Sequence, residues 1–256
     1  MMISIVFILW VPAVITWGRL GHQLVADVAQ YNAEIDVVAT WGLNGSLASI
    51  ANWPDEIRRY THKYDRLHYV NVKNGTCSYD EVRDCKKQKC VVGAVEKYAQ
   101  QLENATDLSF LTHFVGDLHQ PLHVTDKLHI GNAIDVYFGH KMTFHSLWDT
   151  GLLMHALHKK YRGDVSAYRR ILQEKSTLLQ INETKIAVWA NETAKLSCNV
   201  SIWQGIKNNV TISESYYTTA IEIIEQQIMV AGKRLAQLID RSRPSRVSHV
   251  YSFSFV

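Results

Sequence analysis

After residue 16 the chain of 256 residues has no apolar run long enough to cross a bilayer, no internal repeat, no low-complexity linker and no block of like charge. The first absence means that no transmembrane segment is expected in the mature chain. The second excludes solenoids and propellers, which are built from repeats. The third argues against separately tethered domains. The fourth, with 27 Lys and Arg against 24 Asp and Glu, leaves a formal charge of +3. That balance is compatible with an anionic substrate but is too small to argue nucleic-acid binding by itself. Strand-like segments are also scarce. What remains is a chain with 47% hydrophobic residues, enough for a sizeable core.

Residues 1–16 read as a secretory signal peptide, since Ile3–Ile15 is almost wholly apolar and Val14-Ile-Thr16 suits a cut before Trp17. The n-region lacks Lys and Arg, and the apolar run is short for a span. Seven Asn-x-Ser/Thr sequons begin at Asn44, Asn74, Asn104, Asn182, Asn191, Asn199 and Asn209. Together with a leader they point to a glycoprotein of the secretory pathway, secreted or held in a lumenal or lysosome-like compartment. The four cysteines allow three pairings. Cys85–Cys90 reads as a local clip. Cys77–Cys198 would then close a long loop and add about 4 kcal/mol in the chain-entropy model. The end, Pro244–Val256, is short and mixed, and no C-terminal anchor is expected.

The hydrophobic period is mostly helical. It predicts helices over His22–Gln30, Val91–Leu102, Thr106–Leu118, Ser146–Lys159, Asp164–Leu179, Asn182–Leu196 and Ser213–Asp240. Thr106 or Asp107 is expected to cap the third, and Pro121 forces it to end by Gln120. Pro54 would start a short helix over Asp55–Arg59. Strands are expected at Leu67–Val72, Ala133–Phe138 and Met142–His145. The reading is one mainly α-helical domain over 17–240, a few short strands, and a frayed tail over 241–256.

Leu111–Asp149 carries the chemistry. His113/Asp117 and His145/Asp149 are spaced i, i+4, so each pair shares one helix face. His123 follows the bend at Pro121. Five nitrogen and oxygen donors flanked by apolar residues within 37 residues suit a metal such as zinc. Upstream, Asp55, His68 and His22 are further candidates. Each has an ordinary alternative: Asp55 as a cap, His68 as a cross-strand contact, His22 as helix surface.

Five segments occur in order: Trp17-Gly-Arg-Leu-Gly-His22, Trp53-Pro-Asp-Glu-Ile-Arg58, Leu67-His-Tyr-Val-Asn71, Thr112-His-Phe-Val-Gly-Asp-Leu-His-Gln-Pro-Leu-His123 and His145-Ser-Leu-Trp-Asp149. This set resembles the zinc-dependent, single-strand-specific nuclease family, which includes mung bean nuclease, plant bifunctional nucleases and the 3′-nucleotidase/nucleases. The Cys77, Cys85 and Cys90 spacing and Ala231-Gly-Lys-Arg-Leu-Ala236 also fit it. The fold this resemblance implies is the helical one shared with zinc phospholipase C.

The resemblance implies three Zn²⁺ ions. One would take Asp55, His68, His113 and Asp117. A second would take the α-amine and carbonyl of Trp17, with His22 and a shared Asp117. The third would take His123, His145 and Asp149. It further implies hydrolysis of single-stranded DNA and RNA to 5′-nucleotides by a zinc-bridged hydroxide, with 3′-nucleotidase activity. Asp55 would orient the hydroxide and Arg58 would offset charge in the transition state. Tyr69 would stack on the base and Asn71 would bond to it. Single strands and 3′-nucleotides would be the partners, and no stable protein partner is implied.

The chain departs from the family after His123. A Gly-Asp-Lys-Gly-Gly-Asn segment is replaced by Thr125-Asp-Lys-Leu-His-Ile-Gly-Asn132, which lacks two of those glycines. His119 belongs to the motif but reads as a packing or hydrogen-bonding residue beside the ligands. Two other functions compete: a phospholipase C-like lipid phosphodiesterase on the same fold, and a catalytically silent secreted glycoprotein that keeps zinc for stability. A final ligand of Asp149 rather than Glu, with Arg58 and Tyr69 in place, favours the nuclease.

Overall fold

The computed structural model describes residues 17–127 and 129–242. The expected leader 1–16, Leu128 of the altered segment and the tail 243–256 lie outside the described residues.

The described chain is helical. In order it forms α1 Arg19–Asn32, α2 Val37–Trp41, α3 Leu47–Ile50, α4 Trp53–Ile57, α5 Glu81–Asp84, α6 Val91–Gln100 and α7 Ala105–Leu118. There follow α8 Phe144–Ser146, α9 Leu152–Tyr161, α10 Val165–Ser176, α11 Ile186–Ser197, α12 Val200–Trp203 and α13 Glu214–Arg241. Three short strands, β1 Asp135–Phe138, β2 His140–Thr143 and β3 Val210–Thr211, make a small sheet in the order β2-β1-β3. β1 runs antiparallel to β2 and parallel to β3. None of the described helices is long and apolar enough to cross a membrane.

Helix α7 is the axis of the site. Asn104 caps it, its side-chain oxygen accepting the Thr106 and Asp107 N–H groups. The cap is thus two residues earlier than Thr106, because the Asn104 carboxamide reaches both donors. Every residue from Leu108 to Leu118 is buried, so polar side chains on this helix face protein on all sides. Phe110 and Phe114 extend a ring stack with Tyr98 of α6. Helix α1 buries Leu24, Val25, Val28 and Ala29 and packs along α13. Gly232 permits that approach: a Cβ there would stand 2.4 Å from Val28 Cγ1. Ser213 caps α13 through its hydroxyl, and the helix runs to Arg241 rather than fraying there.

Two disulfides, Cys77–Cys198 and Cys85–Cys90, pin the stretch that follows His68. The first ties it to the end of α11. The second closes a tight loop just before α6.

Three expected elements differ. Leu67–Val72 is not a strand: His68 ends a 3₁₀ turn, Asp65–His68, and the extended residues after it pair with no neighbouring strand. Their bonds go instead to isolated partners, Val70 N–H to His123 O at 2.8 Å and Val91 N–H to Tyr69 O at 3.0 Å. Alternation of apolar and polar residues mimicked a ladder that has no second rail. The hairpin partner is His140–Thr143, so His145 lies on α8 instead of a strand. Between α8 and α9 the helix widens into a π turn, Leu147–Gly151, which carries Asp149.

Candidate metal centre

The candidate ligands come from seven elements of the fold. Asp117 and His113 project from the buried end of α7, His22 from α1, Asp55 from the first turn of α4, and His68 from the end of its 3₁₀ turn. His123 ends a second 3₁₀ turn that starts at Pro121. His145 and Asp149 lie on α8 and the π turn. All but Asp55 are essentially buried.

Their donor atoms form three tight groups: His22, His113 and Asp117; Asp55, His68 and His113; and His123, His145 and Asp149. Asp117 sits among them. Its Oδ2 is 2.9 Å from His68 Nδ1 and 3.3 Å from His113 Nε2, and its Oδ1 is 3.5 Å from His22 Nε2 and 3.3 Å from His123 Nδ1. Asp55 Oδ1 stands 3.7 Å from His68 Nδ1 and 3.6 Å from His113 Nε2. The His22 ring stacks on His113 with centroids 3.7 Å apart, and the His123 and His145 rings lie parallel at 5.0 Å.

Counting protons shows what these groups can hold. A neutral imidazole has one N–H and one lone pair. His145 Nδ1 donates to the Ile130 carbonyl at 2.8 Å. Its Nε2 therefore carries the lone pair, yet it faces Asp149 Oδ2 at 2.9 Å. Both atoms are buried and neither makes a hydrogen bond. His123 repeats the arrangement. Its Nδ1 donates to His68 O at 2.9 Å, and its Nε2, also without a hydrogen-bond partner, looks toward Asp149 Oδ1 at 3.6 Å. Two lone-pair atoms pressed together away from water repel unless a proton or a cation lies between them. His113 Nδ1 is likewise fixed on Ala51 O at 2.8 Å, which turns Nε2 toward His68, Asp55 and Asp117. Backbone carbonyls orient three of the imidazoles, as ligating histidines require.

The acids and imidazoles act strongly on one another, and where no cation is bound a proton on His123 would balance the same negative charge. Burial opposes charge on Asp117, but the surrounding imidazoles outweigh it and hold the carboxyl well below the usual range. Burial likewise opposes charge on Asp149, which His145 and His123 nonetheless bring down to about 2. Burial pushes His123 down, but Asp117 and Asp149 overcome it and raise the ring to about 10. His22 is driven well below its ordinary value by burial and then by His113. The carboxylates are thus kept ionised in a dry, His-rich pocket.

His119 has no such role. Its Nδ1 donates to Val115 O at 2.7 Å, and its Nε2 accepts from Arg234 at 2.9 Å. With proton and lone pair both used, nothing is left to ligate, in keeping with its reading as a hydrogen-bonding neighbour.

Trp17 is fully buried, its indole N–H donating to Gly116 O at 2.7 Å, and the next residue's N–H reaches Asp149 O at 2.7 Å. Gly116 keeps room for this packing: a Cβ there would come within 2.9 Å of His22 Nδ1. Arg58 bridges the rim, with Nη1 3.5 Å from Asp55 and Nε 3.2 Å from Asp65. Tyr69, next to His68, is half-buried, and Asn71 is exposed.

Sequence reasoning missed Gln120. It is buried, donates to Asp149 Oδ1 at 2.6 Å and accepts the Leu122 N–H, so it fixes both a ligand and the turn carrying His123. Its place in the His113–His123 segment, directly before Pro121, was the available signal.

A sequence profile described as S1/P1 nuclease matches residues 17–243. The chain is 31% identical to Nuclease P1 of Penicillium citrinum over 270 residues, covering 91% of this chain and all of that protein (100%). It is 30% identical to Endonuclease 1 of Arabidopsis thaliana over 284 residues, covering 94% of this chain and 92% of that protein. Identity to Nuclease S1 of Aspergillus oryzae is 28% over 272 residues, covering 90% of this chain and 93% of that protein.

Proposed function

The chain belongs to the S1/P1 nuclease family, and on that premise we propose that it is a secreted zinc nuclease acting on single-stranded DNA and RNA, with 3′-nucleotidase activity. The observation that carries the metal is the buried approach of His145 Nε2 to Asp149 Oδ2 at 2.9 Å, with His145 Nδ1 already committed to the Ile130 carbonyl and neither facing atom hydrogen-bonded. Imidazole nitrogen with carboxylate oxygen is zinc's usual donor set. The three ligand sets the resemblance implies are Asp55, His68, His113 and Asp117; His22 and Asp117 with the amine and carbonyl of Trp17; and His123, His145 and Asp149. The third matches a group of donor atoms in the structure, while His113 also lies with His22 and Asp117. When bound, zinc would supply Lewis acidity, lowering the pKa of water and offsetting phosphate charge.

The chain's own groups would do the rest. Asp55, at the more open edge of the cluster, would accept a hydrogen bond from the attacking water and orient it. Arg58 would lay its guanidinium against the phosphoryl oxygens as charge builds on them. Tyr69 offers a face on which a base can stack, a contact of about 1–3 kcal/mol per base that tolerates any sequence. Asn71 would bond to the edge of that base. A base inside a duplex must first unstack and unpair, at a cost of a few kcal/mol, which favours single strands. Products would carry 5′-phosphates, and 3′-mononucleotides would lose phosphate.

A backbone nitrogen can ligate in this way only as a free amine. We therefore infer that a leader, residues 1–16, is removed before Trp17 and that 17–240 is the working domain. Glycans would sit on the exposed sequons Asn44, Asn74, Asn104, Asn182, Asn199 and Asn209. Asn191 is set apart. It lies within α11, its Oδ1 accepting the Tyr79 N–H and its Nδ2 donating to Ala187 O, and Thr193 is buried.

The test is the mature protein assayed on single-stranded DNA, RNA, 3′-AMP and phosphatidylcholine. Hydrolysis of the first three is expected. Turnover of the lipid alone would make the protein a phospholipase. Tight zinc without turnover of any substrate would make it a silent glycoprotein.

A further inference from the structure

A concavity of about 220 Å³ is bounded by Val72, Lys73, Thr125, Lys127, Ser197 and the Cys77–Cys198 disulfide. Two segments lead to it. One runs from the ligand His68 to Lys73, and the other from the ligand His123 to Lys127. They travel side by side, joined by Val70 N–H to His123 O at 2.8 Å and Asp126 N–H to Val72 O at 3.2 Å. Five residues of extended chain reach at most about 18 Å, so the concavity lies within a few nucleotides of the ligands. The Tyr69 and Asn71 segment lies along that route.

The charge of the concavity is one-sided. Two of its lining side chains are cationic and none is a carboxylate. Among the described residues neither lysine has an acidic partner within ion-pair distance. The carboxylate of Asp84, which accepts the Lys73 backbone N–H, is taken up by Arg83. Lys127 is half-buried with its ammonium 4.2 Å from the Trp203 ring centroid, and burial pushes its pKa down. An ammonium held partly out of water on an aromatic face, in a concavity that a second lysine also lines, lacks a carboxylate partner there.

We propose that Lys73 and Lys127 form a subsite for one backbone phosphate of a polynucleotide strand, beyond the phosphate that reacts. The proposal rests on the nuclease reading and deepens it, because it makes a strand rather than a mononucleotide the substrate that the cleft is shaped to hold. The neighbouring hydroxyl of Thr125 and the Cys77–Cys198 bridge give the subsite a fixed wall. Contact with one phosphate of a single strand contributes a slope of about −0.7 to log affinity against log salt.

The experiment uses deglycosylated mature protein, because Asn74 also lines the concavity. Binding of fluorescein-labelled phosphorothioate dT12 is followed by anisotropy at several NaCl concentrations, for wild type, K73Q/K127Q and K73R/K127R. The glutamine pair is expected to bind on the order of tenfold more weakly at low salt, with a slope flatter by about 0.7. The arginine pair keeps the charge and should restore the slope. In turnover, the loss of kcat/KM on dT12 should exceed any loss on 3′-AMP by about the same factor. Wild-type slope and affinity in the glutamine pair would overturn the subsite, as would equal losses on both substrates. A wild type that binds dT12 as described but cleaves neither substrate would sink the nuclease reading and leave the subsite standing.

Discussion

Two groups of buried acids in this chain are built in opposite ways. Where α1, α9, α10 and α13 pack, Asp27 and Glu225 each meet a donor. Arg169 Nε bonds to Asp27, and Glu225 accepts the Tyr168 hydroxyl at 3.0 Å, with Lys160 at 3.5 Å. In the metal centre, Asp149 is just as buried and accepts from Gln120, but the Nε2 atoms of His145 and His123 also face it, on rings whose Nδ1 protons are pinned on backbone carbonyls. Burial alone therefore says nothing about role. A buried acid whose facing side chains all bring it hydrogens is part of the scaffold. A buried acid that meets lone pairs has been left for a cation. His119 applies the same rule within the metal region, since Arg234 fills its second nitrogen.

Substitutions at the two kinds of acid should separate cleanly. The largest effect belongs to Asp117→Asn. The amide keeps the shape but removes the charge that neighbouring imidazoles need, so zinc should fall at two positions and turnover drop by on the order of 10³-fold. Metal analysis and assay on single-stranded DNA check this, and retention of full zinc would break the distinction. In the scaffold, Glu225→Leu leaves the buried Tyr168 hydroxyl without its acceptor and should cost about 1–3 kcal/mol of stability. Thermal unfolding reads that loss, and zinc content should stay at the wild-type value. A variant at Glu225 that lost zinc would show that the regions are not separable.

A smaller effect, of opposite sign, is expected in the loop behind His145. His129 and Ile130 both have left-handed backbones, with φ of 51° and 56°. A β-branched residue is strained there, and the Ile130 carbonyl is the one that fixes His145. Ile130→Gly should raise stability by about 1 kcal/mol with zinc content unchanged. Lower stability would mean that the Ile130 side chain packs more favourably than its backbone is strained.

The helical fold was legible because its apolar positions repeat at helical spacing, as in Leu24, Val25, Val28 and Ala29. The i, i+4 pairs His113/Asp117 and His145/Asp149 were legible for the same reason. The partners that set each imidazole's proton were not. Ala51, His68 and Ile130 contribute carbonyls from positions 62, 55 and 15 residues away from their histidines. A carbonyl is present at every residue, so composition carries no trace of which one is used. The 3₁₀ turn at His68 was hidden by a local alternation that looked like a strand. The π turn at Asp149 was hidden because its residues fit an ordinary helix equally well.

The central claim is that cations balance the lone pairs gathered around Asp117 and Asp149. Counting zinc in purified protein whose first residue is verified as Trp17 tests it most directly. The account predicts three ions per chain and loss of hydrolysis when they are stripped. Protein with no bound metal that still hydrolyses single-stranded DNA in excess chelator would contradict it.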